Sequence, residues 1–237
     1  MSTKIALLSS NTAHHRFFIN MMKKDNLPLD LVIFEQKKFT PKFAVSPFYE
    51  EEENVFEENE FSKIIDINDV NSESFFVDDI NDQKTLDLLE KKNINYGVVF
   101  GTGLIRKNII DYFQENLINV HRGIAQEYRG LDSDLWAIYH EDFKNLGVTI
   151  HKVDQELDTG EISYSEVLQV AKNMKIFHLR FYTTVLAYKL VKKTILDFLD
   201  GNANFFRQEK IGRYYSAMPI QLKKEVDLKF QKYVKNI

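Results

Sequence analysis

Apolar residues gather in short runs along the chain, and polar turn residues separate these runs. An unbroken apolar run such as 96–100 is typical of a central strand in a parallel sheet, whereas apolar residues at three-to-four spacing predict helices. The predicted strands are 4–10, 30–35, 96–100, 117–120, 147–153 and 161–170. The predicted helices are 11–22, 81–90, 107–115, 131–140, 173–199 and 219–234. Because the chain opens as strand, helix, strand, we predict an α/β fold with a mostly parallel sheet flanked by helices.

Two stretches depart from this alternation. Residues 37–74 carry two of the four prolines and the acidic run 50–53, so we expect a partly helical surface excursion whose acidic run is a solvated face. Residues 205–218 predict a short extended segment around Gly212, and Pro219 then opens the terminal helix at a position that tolerates proline. We therefore expect a small C-terminal appendage made of a β-hairpin and a helix.

Composition narrows the function classes. The chain has 237 residues, 44% of them hydrophobic, which suits one domain or one domain with an appendage. The absence of cysteine excludes disulfides, thiolate metal sites and cysteine nucleophiles. The formal net charge of −4 gives no basic footprint for nucleic acid. No apolar run approaches the length of a membrane span and the first residues do not form a secretory signal, so we expect a cytoplasmic protein without a membrane partner.

The strand at 117–120 carries the strongest candidate chemistry. Side chains alternate along a strand, so Asn119 and His121 share one face where the strand runs out, and ligands of open α/β sheets bind at such ends. The loop 154–160 adds carboxylates. An amide and a protonated imidazole can donate to a developing oxyanion, while a carboxylate can keep the imidazole protonated and help to remove a proton from an attacking amine. The set suits direct acyl transfer without a covalent nucleophile.

Other candidates stay open. His14 and His15, with Arg16, predict either an anion site at a helix N-terminus or a surface cluster. His151 fits a polar core or edge position better than a catalytic one. The two glycines of 101–103 predict either a close backbone approach to a ligand or a tight turn. We reject a metal site, because the sequence has no H-E-x-x-H or other close ligand pair, and a serine triad, because it has no nucleophile elbow.

Five short motifs follow one another through the middle third of the chain. They are Asn119-Val-His121, Tyr128-Arg-Gly130, Trp136-Ala-Ile138, Gly147-Val-Thr-Ile-His151 and Leu157-Asp-Thr-Gly-Glu-Ile162. In this order they resemble the formyltransferase family that uses N10-formyltetrahydrofolate, and the strand-helix-strand opening fits the Rossmann-like catalytic domain of that family. The resemblance implies a formyl-transferring enzyme with N10-formyltetrahydrofolate as cosubstrate and no metal.

The resemblance also implies roles for individual residues. Asn119 and His121 would polarise the formyl carbonyl and stabilise the tetrahedral intermediate, and Asp158 would position these groups and assist proton movement. The residues implied to line the folate pocket are Thr102, Gly103, Leu104, Ile105 and Asp154. The family fold further implies a catalytic domain over 1–200 and an appendage over 201–237, which we expect to form a homodimer.

One subgroup is similar over more of the chain. The loop 122–127 lacks the proline of the glycinamide ribonucleotide and methionyl-tRNA enzymes, and we expect no large C-terminal domain for tRNA. The stretches 121–124, 128–139, 15–18 and 212–216 are similar to sugar N-formyltransferases, which formylate dTDP-linked 4-amino-4,6-dideoxyhexoses for bacterial surface polysaccharides such as O-antigen. The resemblance thus implies a nucleotide-linked amino sugar as acceptor. A glycinamide ribonucleotide formyltransferase of purine synthesis and a non-catalytic folate-binding module remain as alternatives.

A dTDP-sugar needs cations for its diphosphate and an aromatic platform for its thymine. The candidates for the diphosphate are His15, Arg16, Arg122 and Arg129. The candidates for the thymine are Tyr214 and Tyr215, which could equally form a packed strand of the appendage. The sequence leaves open which configuration and which amino position the sugar has, and whether its nucleotide is dTDP or UDP.

Overall fold

The computed structural model describes residues 3–37, 40–45, 48–68, 70 and 72–237. Residues 38, 39, 46, 47, 69 and 71 of the predicted excursion lie outside this range. The strands are β1 (Ile5–Ser9), β2 (Leu31–Glu35), β3 (Ser74–Val77), β4 (Tyr96–Phe100), β5 (Leu117–His121), β6 (Tyr128–Gly130), β7 (Gly147–Lys152), β8 (Ile162–Val167) and β9 (Arg213–Tyr215). The helices are α1 (Ala13–Lys24), α2 (Glu50–Ser62), α3 (Gln83–Lys92), α4 (Lys107–Phe113), α5 (Ser133–Tyr139), α6 (Leu179–Leu199) and α7 (Ile220–Asn236).

Within the described residues, seven strands form one sheet in the order β3-β2-β1-β4-β5-β7-β8. The pairings from β3 to β5 are parallel, and β7 and β8 join them as antiparallel strands. The predicted α/β fold with a mostly parallel sheet flanked by helices is confirmed. Strand β3 was not predicted, because it lies at the sheet edge and its first three residues are only partly buried or exposed.

Alternation along the strands builds a core on each face of the sheet. On one face, Leu7 packs in a cluster with Phe18 of α1 and Val191 of α6. On the other face, Leu8 packs in a cluster with Leu89 of α3 and Ile109 of α4. With both faces covered, the carboxyl ends of the parallel strands are left for polar residues.

The predicted solvated face of the acidic run 50–53 is wrong for Glu53, and α2 buries a second carboxylate at Glu57. Glu53 is 7% exposed and Glu57, one turn further on, is fully buried. Both bind the guanidinium of Arg180 on α6, at 2.7 Å each. Residues four apart share one helix face, so these two carboxylates point inward while Glu51 and Glu52 remain exposed. A permanent cation at hydrogen-bond distance allows their burial.

The predicted C-terminal β-hairpin is also wrong. β9 has no neighbouring strand in sequence to pair with, and it pairs instead in parallel with β6 of the main domain. The helix α7 packs against α5, and Met218, Val226 and Phe230 share a buried cluster with Ile138. A three-residue strand cannot satisfy its backbone alone, so it docks on the exposed edge of β6. Dimerisation through 201–237 stays a prediction.

The longest helix, α6, begins later than its apolar pattern predicts. A 3₁₀ turn at Ile176–His178 precedes it, and the regular helix begins at Leu179 rather than at 173. In the part of the chain that the structure describes, no helix is long and apolar enough to cross a membrane.

Candidate active site

β5 presents Asn119 and His121 on the face that α3 and α4 cover, two and four residues after the core residue Leu117. The two side chains lie on the same face of the sheet, as the alternation along the strand predicts. His121 is 5% exposed, and its Nε2–H donates to the backbone oxygen of Tyr128 at 2.7 Å. This bond fixes the ring orientation, because it leaves Nδ1 as the nitrogen that faces the interior of the site.

β7 adds a third side chain through strand register. Asn119 lies opposite His151 in the antiparallel pair. The Nδ1–H of His151 donates to the oxygen of Lys152 at 2.7 Å, and its Nε2 lies 3.2 Å from Nδ2 of Asn119. His151 is 2% exposed. The sequence pointed to a polar core or edge position, and the structure instead places this histidine beside the predicted pair. The register of β5 on β7 was the signal that could have located it.

Asp158 completes the group from the loop between β7 and β8. Its Oδ2 accepts the backbone N–H of Gly130 at 2.8 Å and lies 3.5 Å from Nδ1 of His121. Its Oδ1 lies 3.3 Å from Nδ2 of Asn119 and 3.4 Å from Nε2 of His151. The structure thus brings together the three predicted catalytic residues. We call Asn119, His121, His151 and Asp158 the catalytic corner.

The backbone of Asp158 is left-handed, with φ of +56°. Side-chain-bearing residues rarely adopt this conformation, which persists where the surroundings enforce it and which concentrates at functional sites. Within the loop, Oδ1 of Asp154 accepts the N–H of Glu156 at 3.0 Å and the hydroxyl of Thr159 at 2.7 Å. Asp154 therefore shapes the loop that delivers Asp158, and its predicted contact with folate stays a prediction.

The charges of the corner depend on one another. Burial lowers the pKa of His121 from its ordinary value, and the carboxylate of Asp158 opposes this fall. Burial would raise the pKa of Asp158, but His121, His151 and the amide of Gly130 together hold it well below its usual range. Asp158 is therefore ionised near neutral pH, and it favours a positive charge on the imidazole of His121.

The loop after β4 forms a neighbouring rim that other residues hold in place. The N–H of Gly103 donates to Oε2 of Glu35 at 2.6 Å, and Nδ2 of Asn81 donates to the oxygen of Leu104 at 3.0 Å. Leu104 is 60% exposed, whereas Ile105 is 8% exposed and packs in the core. Ile105 is thus placed by packing rather than at a surface. Sequence reasoning missed Glu35 and Asn81, because both are distant from the rim in the chain.

The structure contradicts the role predicted for His15 in diphosphate binding. This side chain is 4% exposed and packs against Gly101, where an added Cβ would lie 2.2 Å from its Nε2. Burial, together with the charge of His14, lowers the pKa of His15 well below its ordinary value. A neutral, enclosed ring supplies no cation. Adjacent polar residues after a strand are also typical of a surface turn, so the local sequence does not indicate that this side chain is buried.

The three predicted arginines are partly engaged by the protein. Arg16 donates from Nε to the oxygen of Ile67 at 2.9 Å. Arg122 donates from Nη2 to Oδ2 of Asp134 at 2.6 Å. Arg129 donates to the oxygens of Gly212, at 2.6 Å, and Leu157, at 3.0 Å. Arg129 therefore ties the loop of Asp158 to the C-terminal segment, and its anion-binding role stays a prediction alongside those of Arg16 and Arg122.

The two tyrosines of β9 differ in environment. Tyr215 stacks on Trp136 with ring centroids 4.9 Å apart, and its hydroxyl lies 3.0 Å from Nε2 of His140. Tyr214 is 55% exposed, and its ring lies close to Gly130, where an added Cβ would be 2.9 Å from Cε2. Tyr215 is thus a packing residue, and Tyr214 offers an open aromatic face one residue from the amide that binds Asp158.

Metal ligands do not gather in the site. Among the described residues, no group of three histidine or acidic side chains is placed to hold a metal ion.

Comparisons with known proteins give a family and structural relatives for this chain. A family model described as formyl transferase matches residues 4–186. Methionyl-tRNA formyltransferase of Finegoldia magna is 33% identical over 120 residues, which make up 50% of this chain and 38% of that protein. The chain spans well under two thirds of the length of this relative and of its counterpart in Porphyromonas gingivalis, of which it covers 44%.

Two solved structures share the fold. An N-formyltransferase from Helicobacter canadensis, in complex with folinic acid and dTDP-3-aminofucose, has a TM-score of 0.64 at 18% identity and covers 100% of this chain and 81% of that chain. The formyltransferase PseJ from Anoxybacillus kamchatkensis, in complex with UDP-4,6-dideoxy-4-formamido-L-AltNAc and tetrahydrofolate, has a TM-score of 0.58 at 20% identity and covers 94% of this chain and 88% of that chain. The likeness to the Helicobacter canadensis protein includes the segment that carries β9 and α7, which lies beyond the family match.

Proposed function

Because the chain belongs to the formyl transferase family, we propose that it is a sugar N-formyltransferase. The donor is N10-formyltetrahydrofolate, and the acceptor is the 4-amino group of a dTDP-linked 4-amino-4,6-dideoxyhexose used for surface polysaccharide. The amine attacks the formyl carbon, loses one proton and displaces N10, which gains one.

The observation that carries formyl transfer is the contrast between backbone and side-chain contacts in the catalytic corner. Backbone groups hold His121, His151 and Asp158 at 2.7–2.8 Å. The contacts between the side chains are longer, from 3.2 to 3.5 Å. The backbone fixes these groups in place, but they are only loosely bound to one another, so the amide of Asn119 and the Nδ1 of His121, when protonated, can donate to a substrate oxygen.

Each residue then has a distinct role. Asn119 Nδ2 and protonated Nδ1 of His121 donate to the formyl oxygen as negative charge develops on it. Because its pKa is held low, Asp158 is a weak base and acts chiefly by keeping the charge on His121. The acceptor amine must be neutral to attack, so activity should rise with pH until that requirement is met, and this rise is opposed where His121, whose pKa burial lowers, loses its proton.

The rim and the corner also fit the folate that the proposal requires. Leu104 exposes 60% of its surface beside a rim whose backbone Glu35 and Asn81 hold. Exposed apolar surface of this kind can be covered by a flat aromatic ring, while polar backbone groups orient it. Thr102, Gly103 and Leu104 would provide this surface, and the loop that Asp154 shapes would close it from the other side.

Two observations support a nucleotide-sugar acceptor. Tyr214 lies opposite Arg129 in the pairing of β6 with β9, beside the strand end that binds Asp158. Its open face can stack on a pyrimidine base. Arg213 is exposed and adjacent, so we add it to Arg16, Arg122 and Arg129 as a cation for the diphosphate. The nucleotide-sugar complexes of the two structural neighbours support this class of acceptor by analogy of fold.

The decisive experiment is an acceptor panel with the full chain and N10-formyltetrahydrofolate, following release of tetrahydrofolate. The panel includes dTDP- and UDP-linked 3-amino and 4-amino deoxysugars, glycinamide ribonucleotide and methionyl-tRNA, the last because of the 33% identity to its enzyme. We expect kcat/KM for a dTDP-4-amino sugar to exceed that for the other two classes by on the order of 100-fold or more. Preference for either of those substrates would refute the sugar assignment, and folate binding without transfer to any amine would favour a binding module.

The tyrosine pair gives a second test. Tyr214→Ala should weaken binding of the nucleotide sugar about tenfold, since stacking on a base is worth roughly 1–3 kcal/mol, and should leave folate binding and the thermal midpoint unchanged. Tyr215→Ala is the matched variant, and it should instead lower the thermal midpoint because it empties the stack on Trp136. Equal effects of the two variants on nucleotide-sugar binding would remove Tyr214 from the site.

A further inference from the structure

The catalytic loop is held from outside by a segment that none of the expected roles includes. Residues 205–212, which we call the C-terminal strap, run beside the loop 154–160. Nε2 of Gln208 donates to the oxygen of Asp158 at 3.0 Å and to the oxygen of Gly160 at 2.9 Å. One carboxamide therefore spans the turn on both sides of Thr159 and contacts the strained residue of the catalytic corner directly.

The orientation of this carboxamide is fixed by what it faces. Two backbone oxygens accept from its nitrogen, and its Oε1 is buried with no hydrogen-bond partner. A flipped amide would place Oε1 against two acceptors, so the donor must face the loop. The side chain thus forms two hydrogen bonds to the loop and leaves its own oxygen without a partner. A buried oxygen without a partner costs stability, so this arrangement favours a role in holding the loop rather than in stabilising the fold.

The strap is anchored on both sides of Gln208. Before it, Phe206 and Ile162 exchange backbone hydrogen bonds of 2.8 Å at the start of β8. After it, the N–H of Glu209 donates to Oε1 of Gln126 at 2.6 Å. Gly212 approaches so closely that an added Cβ would lie 2.3 Å from the oxygen of Ala125. These contacts give Gln208 a rigid base from which it can hold the loop.

Gln208 acts on the backbone at the left-handed turn of Asp158 and just after it. The bonds made by Asp154 hold Glu156 and Thr159, but neither acts on the backbone of Asp158 itself. We infer that Gln208 is a positioning residue that fixes the carboxylate of Asp158 against His121 by holding the backbone on both sides of the turn. This inference rests on the proposed formyl transfer for its effect on rate, but its effect on His121 can be measured without turnover.

The test uses Gln208→Met, which keeps the volume, loses both donors and removes the unpartnered acceptor. Two backbone oxygens lose their donor, so some stability should be lost, and kcat is therefore measured well below the thermal midpoint of the variant. We expect kcat to fall on the order of 10- to 100-fold, as for a misplaced catalytic group, with KM for both substrates nearly unchanged. Arg207→Ala, an exposed neighbour on the same surface cavity, is the matched control and should keep the wild-type kcat. A Gln208→Met enzyme with wild-type kcat would overturn the inference.

A second measurement separates this result from a failure of the proposed function. The charged groups that face His121 are Asp158 from the loop, His151 from β7 and Asp134 from α5. A withdrawn Asp158 no longer opposes the effect of burial, so NMR titration should show a lower pKa for His121 in Gln208→Met than in wild type or Arg207→Ala. If no amine on the panel accepts a formyl group, this shift still decides the inference. An unchanged pKa of His121 would refute the positioning role even where kcat falls.

Discussion

Two buried groups of charged side chains lie near the carboxyl ends of the strands, and they differ in how their charges are neutralised. In the catalytic corner, the carboxylate of Asp158 faces two histidines at 3.4–3.5 Å. In a second group, which we call the ionic cluster (His14, Glu53, Glu57 and Arg180), the carboxylates bind a guanidinium at 2.7 Å. In each group one carboxylate has a lowered pKa, that of Asp158 falling well below its usual range and that of Glu57 to about 2.

The difference indicates which group performs chemistry. An arginine is charged at every accessible pH, so the cation of the ionic cluster is permanent and serves stability. A histidine gains or loses its charge near neutral pH. The histidine–carboxylate contacts of the catalytic corner, at 3.4–3.5 Å, are longer than ordinary hydrogen bonds. A histidine that can change its charge and that makes only long contacts with its carboxylate can respond to a substrate. A buried carboxylate therefore indicates an active site when its partners are histidines, and a structural role when its partner is an arginine.

The largest effect should come from breaking the catalytic corner. His121→Asn or Asp158→Asn should lower kcat on the order of 10³-fold or more, because each removes the charge that stabilises the formyl oxygen or maintains that charge. The thermal midpoint should stay close to that of wild type for Asp158→Asn, which keeps size and polarity, and should fall modestly for His121→Asn, which keeps polarity but is smaller. Near-normal turnover in either variant would remove the proposed mechanism.

Breaking the ionic cluster should give the opposite outcome. Arg180→Met leaves two carboxylates buried without a cation, which should lower the free energy of unfolding by about 3–5 kcal/mol with little change in kcat per folded molecule. Lys189→Met on the same helix is the matched control, because its pair with Glu166 is exposed on both sides and should contribute less than about 1 kcal/mol. Denaturant titration measures both. A loss of kcat without a loss of stability in Arg180→Met would mean that the two groups are not distinct.

A smaller effect should appear in the pH dependence of stability. Burial lowers the pKa of His14 from 6.5 to about 4, against the opposing effect of Glu57. The unfolded chain therefore takes up a proton before the folded chain does, and the stability contributed by His14 is present above pH 6.5 and is lost as pH falls through about 4. Relative to His14→Gln, wild type should lose about 2 kcal/mol of unfolding free energy between about pH 7 and pH 5.

The comparison with a variant is necessary because Glu53 has the opposite effect on the pH dependence of stability. Burial raises its pKa to about 7, so its contribution rises as pH falls. His140→Gln, at an exposed position, is the control and should keep most of the wild-type slope. A His14→Gln protein with the same pH dependence as wild type would show that His14 does not remain neutral in the folded protein.

The catalytic corner and the ionic cluster also differ in how much of each the sequence could predict. Alternation along β5 was sufficient to place Asn119 and His121 on one face, because the two residues are neighbours on one strand. Asp158 came from a motif and not from any pattern of polarity. The pairing of Arg180 with Glu57 could not be predicted, because the two residues are 123 positions apart. Without this partner an acidic helix is expected to face solvent.

The remaining errors concern side chains that distant segments cover. His15 was a candidate cation because nothing local shows that Gly101 lies over its ring. The strand β9 was expected to form a hairpin because short-range turns are the only pairings that local sequence can indicate. Its actual partner β6 is itself three residues long and too short to give a periodic signal. Gln208 was missed for the same reason, because its partners are two backbone oxygens nearly 50 residues earlier in the chain.

The pairing of β6 with β9 sets the order in which the protein can be completed. Arg129 and the strap residue Gly212 are 83 residues apart, yet a 2.6 Å hydrogen bond joins them beside the loop of Asp158. The strands of the central sheet end at Val167, whereas β9 begins only at Arg213, so during synthesis the sheet is available to fold before β9 is. The central sheet can therefore assemble from earlier parts of the chain, and the catalytic corner becomes rigid only after the last strand has docked. During synthesis the protein would hold its fold before it holds its site.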